Sequence, residues 1–213
     1  MEGSGSPGLR ERKKQAMRAA LSSAALRLAI QRGFEQVLVE DIAAAVGVAP
    51  RTFNNYFSSK EAAIVAEGTN RAATVRDALR ARPAGEPLWT ALRHAVTNLF
   101  AREGEPTRDW VARARLIKET PALRVEQLRA DAAVQRLLAE EIARRTNTDA
   151  GRDLYPRLVA TTVISAVRTA LEHWLDAAPG VTLVAVIDRA LQQLADGLPS
   201  PAEGTDQLED TDA

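Results

Sequence analysis

Residues 47–60 read GVAPRTFNNYFSSK. A glycine turn and a proline open the segment, and Arg51, Thr52, Asn54 and Asn55 then alternate with Phe53, Tyr56 and Phe57. Pro50 suits the first position of a helix, because its fixed φ is helical and its missing N–H would have no partner there. At 100° per residue Phe57 falls roughly 40° from Phe53, so the two rings define one buried face. Arg51 and Asn55 lie nearly opposite, Thr52 and Asn54 on the flanks, and Tyr56 at the edge of the apolar face. Arginine pairs bidentately with guanine edges and asparagine with adenine edges, so a short helix of this make-up suits the major groove of DNA.

The flanking residues extend that reading. Ile42, Val46 and Val48 are apolar at helical intervals, and Gly47-Val48-Ala49 makes a tight turn between two short helices. This is helix-turn-helix geometry with the second helix as the reader. Lys60 and the first amides of the following helix form a cationic end able to hold a phosphate, and the Tyr56 hydroxyl is a second candidate.

Helical spacing dominates the whole chain and strand alternation is nearly absent, which predicts an all-α protein of about nine helices. Met17, Leu21, Ala24 and Leu28 mark a first helix from about Arg10 to Arg32, stopped by Gly33. The second runs from about Val39 to Val46 and the third starts at Pro50. Ser58-Ser59-Lys60-Glu61 has capping-box spacing for a fourth, which runs toward Arg82. Further helices are expected near 87–102, 107–120, 122–146, 152–178 and 182–197. The expected division is a disordered N-terminus over 1–9, a DNA-binding domain over 10–62, a ligand-binding and dimerisation domain over 63–197 and a disordered acidic tail over 198–213.

Composition narrows the function classes. The 213 residues include no cysteine, so no disulfide, thiol nucleophile or cysteine metal site exists. No apolar run approaches the roughly 18 residues of a membrane span. The N-terminal stretch has no apolar core of a signal peptide, so a cytoplasmic protein is expected. Formal net charge is zero, yet residues 1–60 hold 9 basic against 5 acidic side chains and residues 198–213 hold 5 acids and no base. His94 and His173 are the only histidines, and they lie far apart. H-E-x-x-H, G-x-S-x-G and phosphate-binding glycine loops are absent, so no catalysis, metal or cofactor is expected.

The segment VEDIAAAVGVAPRTFNNYFSSKEAAI (39–64) resembles the DNA-binding signature of the tetracycline-repressor (TetR) family, and the likeness covers roughly 10–66. The resemblance implies an all-helical homodimer on double-stranded DNA, with a divergent larger domain whose small-molecule ligand usually releases the DNA. It makes Arg51, Asn54 and Asn55 the base readers and Thr52, Tyr56 and Lys60 the phosphate contacts. Leu38 and Ala49 depart from the family pattern, standing where Thr or Ser often caps a helix; an alanine cap costs on the order of 1 kcal/mol. The basic cluster Arg10, Arg12, Lys13 and Lys14 is either an arm along the DNA or a solvated terminus.

In the larger domain the resemblance implies a twofold four-helix bundle made by the last two helices. Ala160, Ile164, Val167 and Leu171 of one, with Val184, Ile187 and Leu191 of the other, are the candidate interface, shared with the chain's own core. Trp89, Phe100, Trp110, Tyr155 and Trp174 are candidate walls of a ligand cavity. The run 113–145 with AVRTALEHWLD (166–176) is also similar to the C-terminal domains of TetR-type regulators that answer to acyl-CoA-like molecules. That likeness implies an apolar tunnel with arginines at its mouth, Arg113, Arg115 and Arg168 being the candidates. The expected function is a repressor on a palindromic operator, released by a small hydrophobic effector such as a long-chain acyl-CoA. The alternatives are an activator, or a helical ligand binder of the multidrug-binder type that has lost DNA binding.

Overall fold

A computed structural model describes residues 8–177 and 180–199, with the backbone alone over 67–73. Of the expected disordered ends, 1–9 and 198–213, residues 1–7 and 200–213 lie outside the described residues, as does the predicted break at Pro179. Within them the chain is all-helical: nine α-helices and one short 3-10 turn, Phe34–Gln36.

The helix-turn-helix unit is built from α1 (Leu9–Arg32), α2 (Val39–Ala45) and α3 (Pro50–Asn54), and α4 (Lys60–Arg80) leaves it. α1 begins one residue before the expected Arg10, and Gly33 ends it with φ 86°. Gly47 turns α2 into α3 at φ 73°, a backbone region in which a side chain is strained. The Val48 amide then donates back to the Ala43 carbonyl at 3.0 Å. Leu38 and Ala49 cap α2 and α3 without a side-chain acceptor, as their identity dictates. Asp41 compensates at α2, where Oδ2 accepts from the Leu38 amide at 3.0 Å. α3 starts at Pro50 as expected and is 5 residues long. α4 starts one residue later than the capping-box spacing places it, with Ser59 Oγ accepting from the Ala62 amide at 3.1 Å.

The larger part comprises α5 (Leu88–Glu103), α6 (Arg108–Glu119), α7 (Pro121–Thr146), α8 (Leu154–Asp176) and α9 (Leu183–Ala195). Thr120 is the only residue between α6 and α7, and Pro121 occupies the first position of α7, where a proline is tolerated. Two buried cores result. The first gathers Leu21, Ile42, Phe53 and Ile64, and Leu123 of α7 is fully buried in it, with Leu116 and Ile117 of α6 packed alongside. The second gathers Leu92, Ile142, Val163 and Ile187. α4 and α7 pack along each other and contribute to both cores, so they join the reading head to the remainder of the molecule.

Candidate nucleic-acid interface and ligand cavity

Phe53 and Phe57 are buried, 0% and 4% exposed, with ring centroids 5.7 Å apart. Their burial turns the rest of the segment outward. Arg51, Asn54 and Asn55 are exposed, and Thr52 and Tyr56 are partly so. Arg18 of α1 pins the end of this helix: its guanidinium lies 4.3 Å from the Phe57 ring centre, and Nη1 donates to the Tyr56 carbonyl at 2.8 Å. The sequence reading passed over Arg18, although it stands in register with Leu21, Ala25 and Leu28 on the buried face of α1. The first turns of α1 lie beside the reader, where Arg10, Lys13 and Lys14 share a surface cleft with Thr52, Asn55 and Tyr56. One basic face therefore combines the α1 cluster with the outward residues of α3.

Lys60 is placed otherwise than expected. Its ammonium donates to the Phe34 carbonyl at 2.9 Å and the Val37 carbonyl at 3.0 Å, and it sits 4.3 Å from the centre of the Phe34 ring. It fastens the connection between α1 and α2 and is not presented to a phosphate.

A cavity of about 500 Å³ opens among α5, α6, α7 and α8, with Val75 of α4 also lining it, within the roughly 300–1,000 Å³ typical of small-molecule sites. Its walls are mostly aliphatic, with Phe100 and Trp110 among them. Trp174 does not line it but supports Trp110 edge-on at 6.3 Å, and its indole N–H donates to the Val181 carbonyl at 2.9 Å. Trp89 packs on the second core and is not a wall residue. Tyr155 lies on the outer surface, 45% exposed, so the ligand role expected of it is corrected.

The arginines also redistribute. Arg113 is buried in the wall, not at a mouth. Burial lowers its pKa to about 10, still a charged group at neutral pH, and Nη2 donates to the Val65 carbonyl of α4 at 3.3 Å. Arg115 is exposed, is not a wall residue, and donates to the Leu175 carbonyl at 3.2 Å. Arg168 does line the cavity, and Nη1 donates to Asp131 Oδ2 at 3.1 Å. Asp131 is a wall residue the sequence reading missed. It falls on the same stripe of α7 as Leu138 and Ile142, and an acid on an apolar stripe was the available signal.

The interface candidates divide in the same way. Ala160 and Ile187 are 0% exposed and Leu191 is 1% exposed within the single chain, so they are core residues with no surface left for a mate. Ile164, Val167 and Leu171 line the cavity, which accounts for their residual exposure. Val184 remains half-buried. The outward face of α8 is instead the stripe of Leu154, Leu158, Thr162 and Ser165, with Leu154 74% and Leu158 54% exposed.

Comparison with known proteins gives two family matches. Residues 21–66 match a model of the tetR family of bacterial regulatory proteins, and residues 86–199 match the MftR C-terminal domain. The transcriptional regulator TcmR of Streptomyces glaucescens is 34% identical over 174 residues, covering 79% of this chain and 77% of TcmR. The fold is similar to that of FadR from Thermus thermophilus, solved in complex with lauroyl-CoA: TM-score 0.56, 21% identity, 87% of this chain and 96% of that one covered. It is also similar to FadR from Bacillus halodurans: TM-score 0.54, 20% identity, 91% and 98% covered.

Proposed function

This chain belongs to the TetR family of bacterial transcriptional regulators, and we propose that it is a repressor that binds a palindromic operator as a homodimer. The observation that carries this reading is the reader itself. Phe53 and Phe57 are buried, and Arg51, Asn54 and Asn55 are free at the surface beside the basic first turns of α1. Arg51, Asn54 and Asn55 read bases; Thr52, Tyr56 and the α1 cations meet phosphates. No helix of the described residues is long and apolar enough to cross a membrane.

The homodimer forms through α8 and α9, with the outward stripe of α8 and Val184 against the mate. One short reading helix spans only a few base pairs, so two are needed, about one helical turn apart. The effector occupies the cavity walled by α5 to α8. Its apolar walls favour an aliphatic or aromatic body, and the lauroyl-CoA of the Thermus FadR makes a long-chain acyl-CoA the first molecule to test. Release follows from differential affinity alone: the ligand favours the head spacing in which the filled cavity is more stable.

A mobility-shift assay on DNA upstream of the chain's own gene, repeated with rising lauroyl-CoA, tests both parts. Retarded DNA that is freed by ligand is the expected result. The absence of any shift removes the DNA-binding reading, and a shift indifferent to saturating lauroyl-CoA removes the acyl-CoA.

A further inference from the structure

Asp131 and Arg168 meet in the cavity wall, across the seam between α7 and α8. Asp131 is 8% exposed, and both its oxygens are engaged: Oδ1 accepts from Gln127 Nε2 at 2.8 Å and Oδ2 from Arg168 Nη1 at 3.1 Å. The guanidinium is differently placed. An arginine carries five N–H donors, and among the described residues Asp131 is the one acceptor Arg168 meets. On α8 the aliphatic Ile164, Val167 and Leu171 line the cavity together with the polar Thr169 and Glu172. The Arg168 side chain is 34% exposed, and its remaining donors border a mainly aliphatic cavity.

A purely structural ion pair is a poor account of this arrangement. Holding the Asp131 carboxylate away from water is expensive, and apolar side chains at such a seam commonly stabilise a fold as well or better. A half-buried donor with unused N–H groups instead gains from any acceptor that enters with a ligand. At Arg168 the acceptor needs no charge of its own: Asp131 already balances the guanidinium, and Glu172 lies one turn further along α8 in the same wall, which Lys118 and Arg124 also line. Arg113, the buried guanidinium of the wall, is turned to the Val65 carbonyl.

We propose that Arg168, oriented by Asp131, is the specificity-determining donor of the cavity, and that the effector carries a neutral carbonyl oxygen on an apolar body. This inference rests on the effector reading above and narrows it: a thioester of an acyl chain and a cyclic ketone share the required chemistry, whereas a hydrocarbon of the same shape lacks it. Asp131 acts as a positioning residue, fixing the plane in which the guanidinium presents its free donors.

The test is equilibrium dialysis of the full chain against two matched pairs, lauroyl-CoA with its thioether analogue S-dodecyl-CoA, and 9-fluorenone with fluorene. In at least one pair the carbonyl member binds about tenfold tighter or more, the increment of a hydrogen bond from a charged donor; the pair that responds identifies the source. Arg168→Met erases the preference and binds both members as the wild type binds the one without the thioester or ketone oxygen. Arg168→Lys keeps part of it, and Asp131→Asn weakens it without abolishing binding of the member that lacks that oxygen. Equal affinity within both pairs overturns the inference and leaves the effector reading standing, as does a preference that survives Arg168→Met. Failure of all four probes to bind overturns both. The wild-type comparison decides the matter even where a substituted chain does not fold.

Discussion

Arg51 and Lys60 both carry a positive charge next to the reading helix, and the fold uses them in opposite ways. Arg51 projects from the face opposite Phe53 and is exposed, and among the described residues it makes no bond that an interface would have to break. Arg51→Ala is expected to lose about 1–3 kcal/mol of discrimination at one position of each half-site, measured by competition between operator and substituted duplexes. Lys60→Met is expected to lower the stability of the fold by roughly 1–3 kcal/mol, since it removes two charge-assisted bonds to the Phe34 and Val37 carbonyls. Urea unfolding reads that loss, while the salt dependence of DNA binding stays as in the wild type. The burial of Phe53 and Phe57 was legible in their spacing, because a helix face is a local property. The fate of Lys60 was not, because the carbonyls that capture it come from a connection far earlier in the chain.

At the scale of elements, the helix ends were readable wherever a proline or glycine imposes them, as at Gly33, Gly47 and Pro50. What lay outside the sequence was which helix closes which core. Leu123, at the start of α7, is fully buried in the core of the reading head, although it belongs by position to the larger domain. Leu123→Ala is expected to destabilise the protein by about 2–5 kcal/mol and to loosen the head, observed as faster amide exchange in α1 and α4.

The corner between α4 and α5 carries a second prediction. Arg82 and His94 both meet Glu86, with His94 Nδ1 at 3.1 Å, and Arg145 donates to the Arg82 and Glu86 carbonyls. The Arg82 hydrogen bond, aided by His94, holds the Glu86 carboxyl at about 2, below the ordinary 4.5. The unfolded chain therefore takes up this proton at a higher pH than the folded one. The stabilisation is complete above about pH 4.5 and is lost as the pH falls from there through 2. Glu86→Gln is expected to flatten that stretch of an acid unfolding curve.

At the scale of the whole molecule, the last two helices have three separate duties that one apolar pattern concealed. Ala160, Ile187 and Leu191 hold the chain's own core, Ile164, Val167 and Leu171 wall the cavity, and Leu154 and Leu158 face outward. A periodic stripe marks where a helix is apolar but not which neighbour covers it, so the sequence could not separate these faces. Leu158→Asp is expected to leave the fold intact and shift sedimentation from dimer to monomer, with operator affinity falling in parallel.

The central claim is that buried Phe53 and Phe57 turn Arg51 and the paired asparagines outward, and that twofold pairing presents two such heads to one duplex. Hydroxyl-radical footprinting on the upstream DNA addresses it most directly. Two protected patches related by a dyad, their centres roughly one helical turn apart or slightly more, and both weakened by Arg51→Ala, are the predicted result. A single unpaired patch, or protection indifferent to Arg51→Ala, contradicts it.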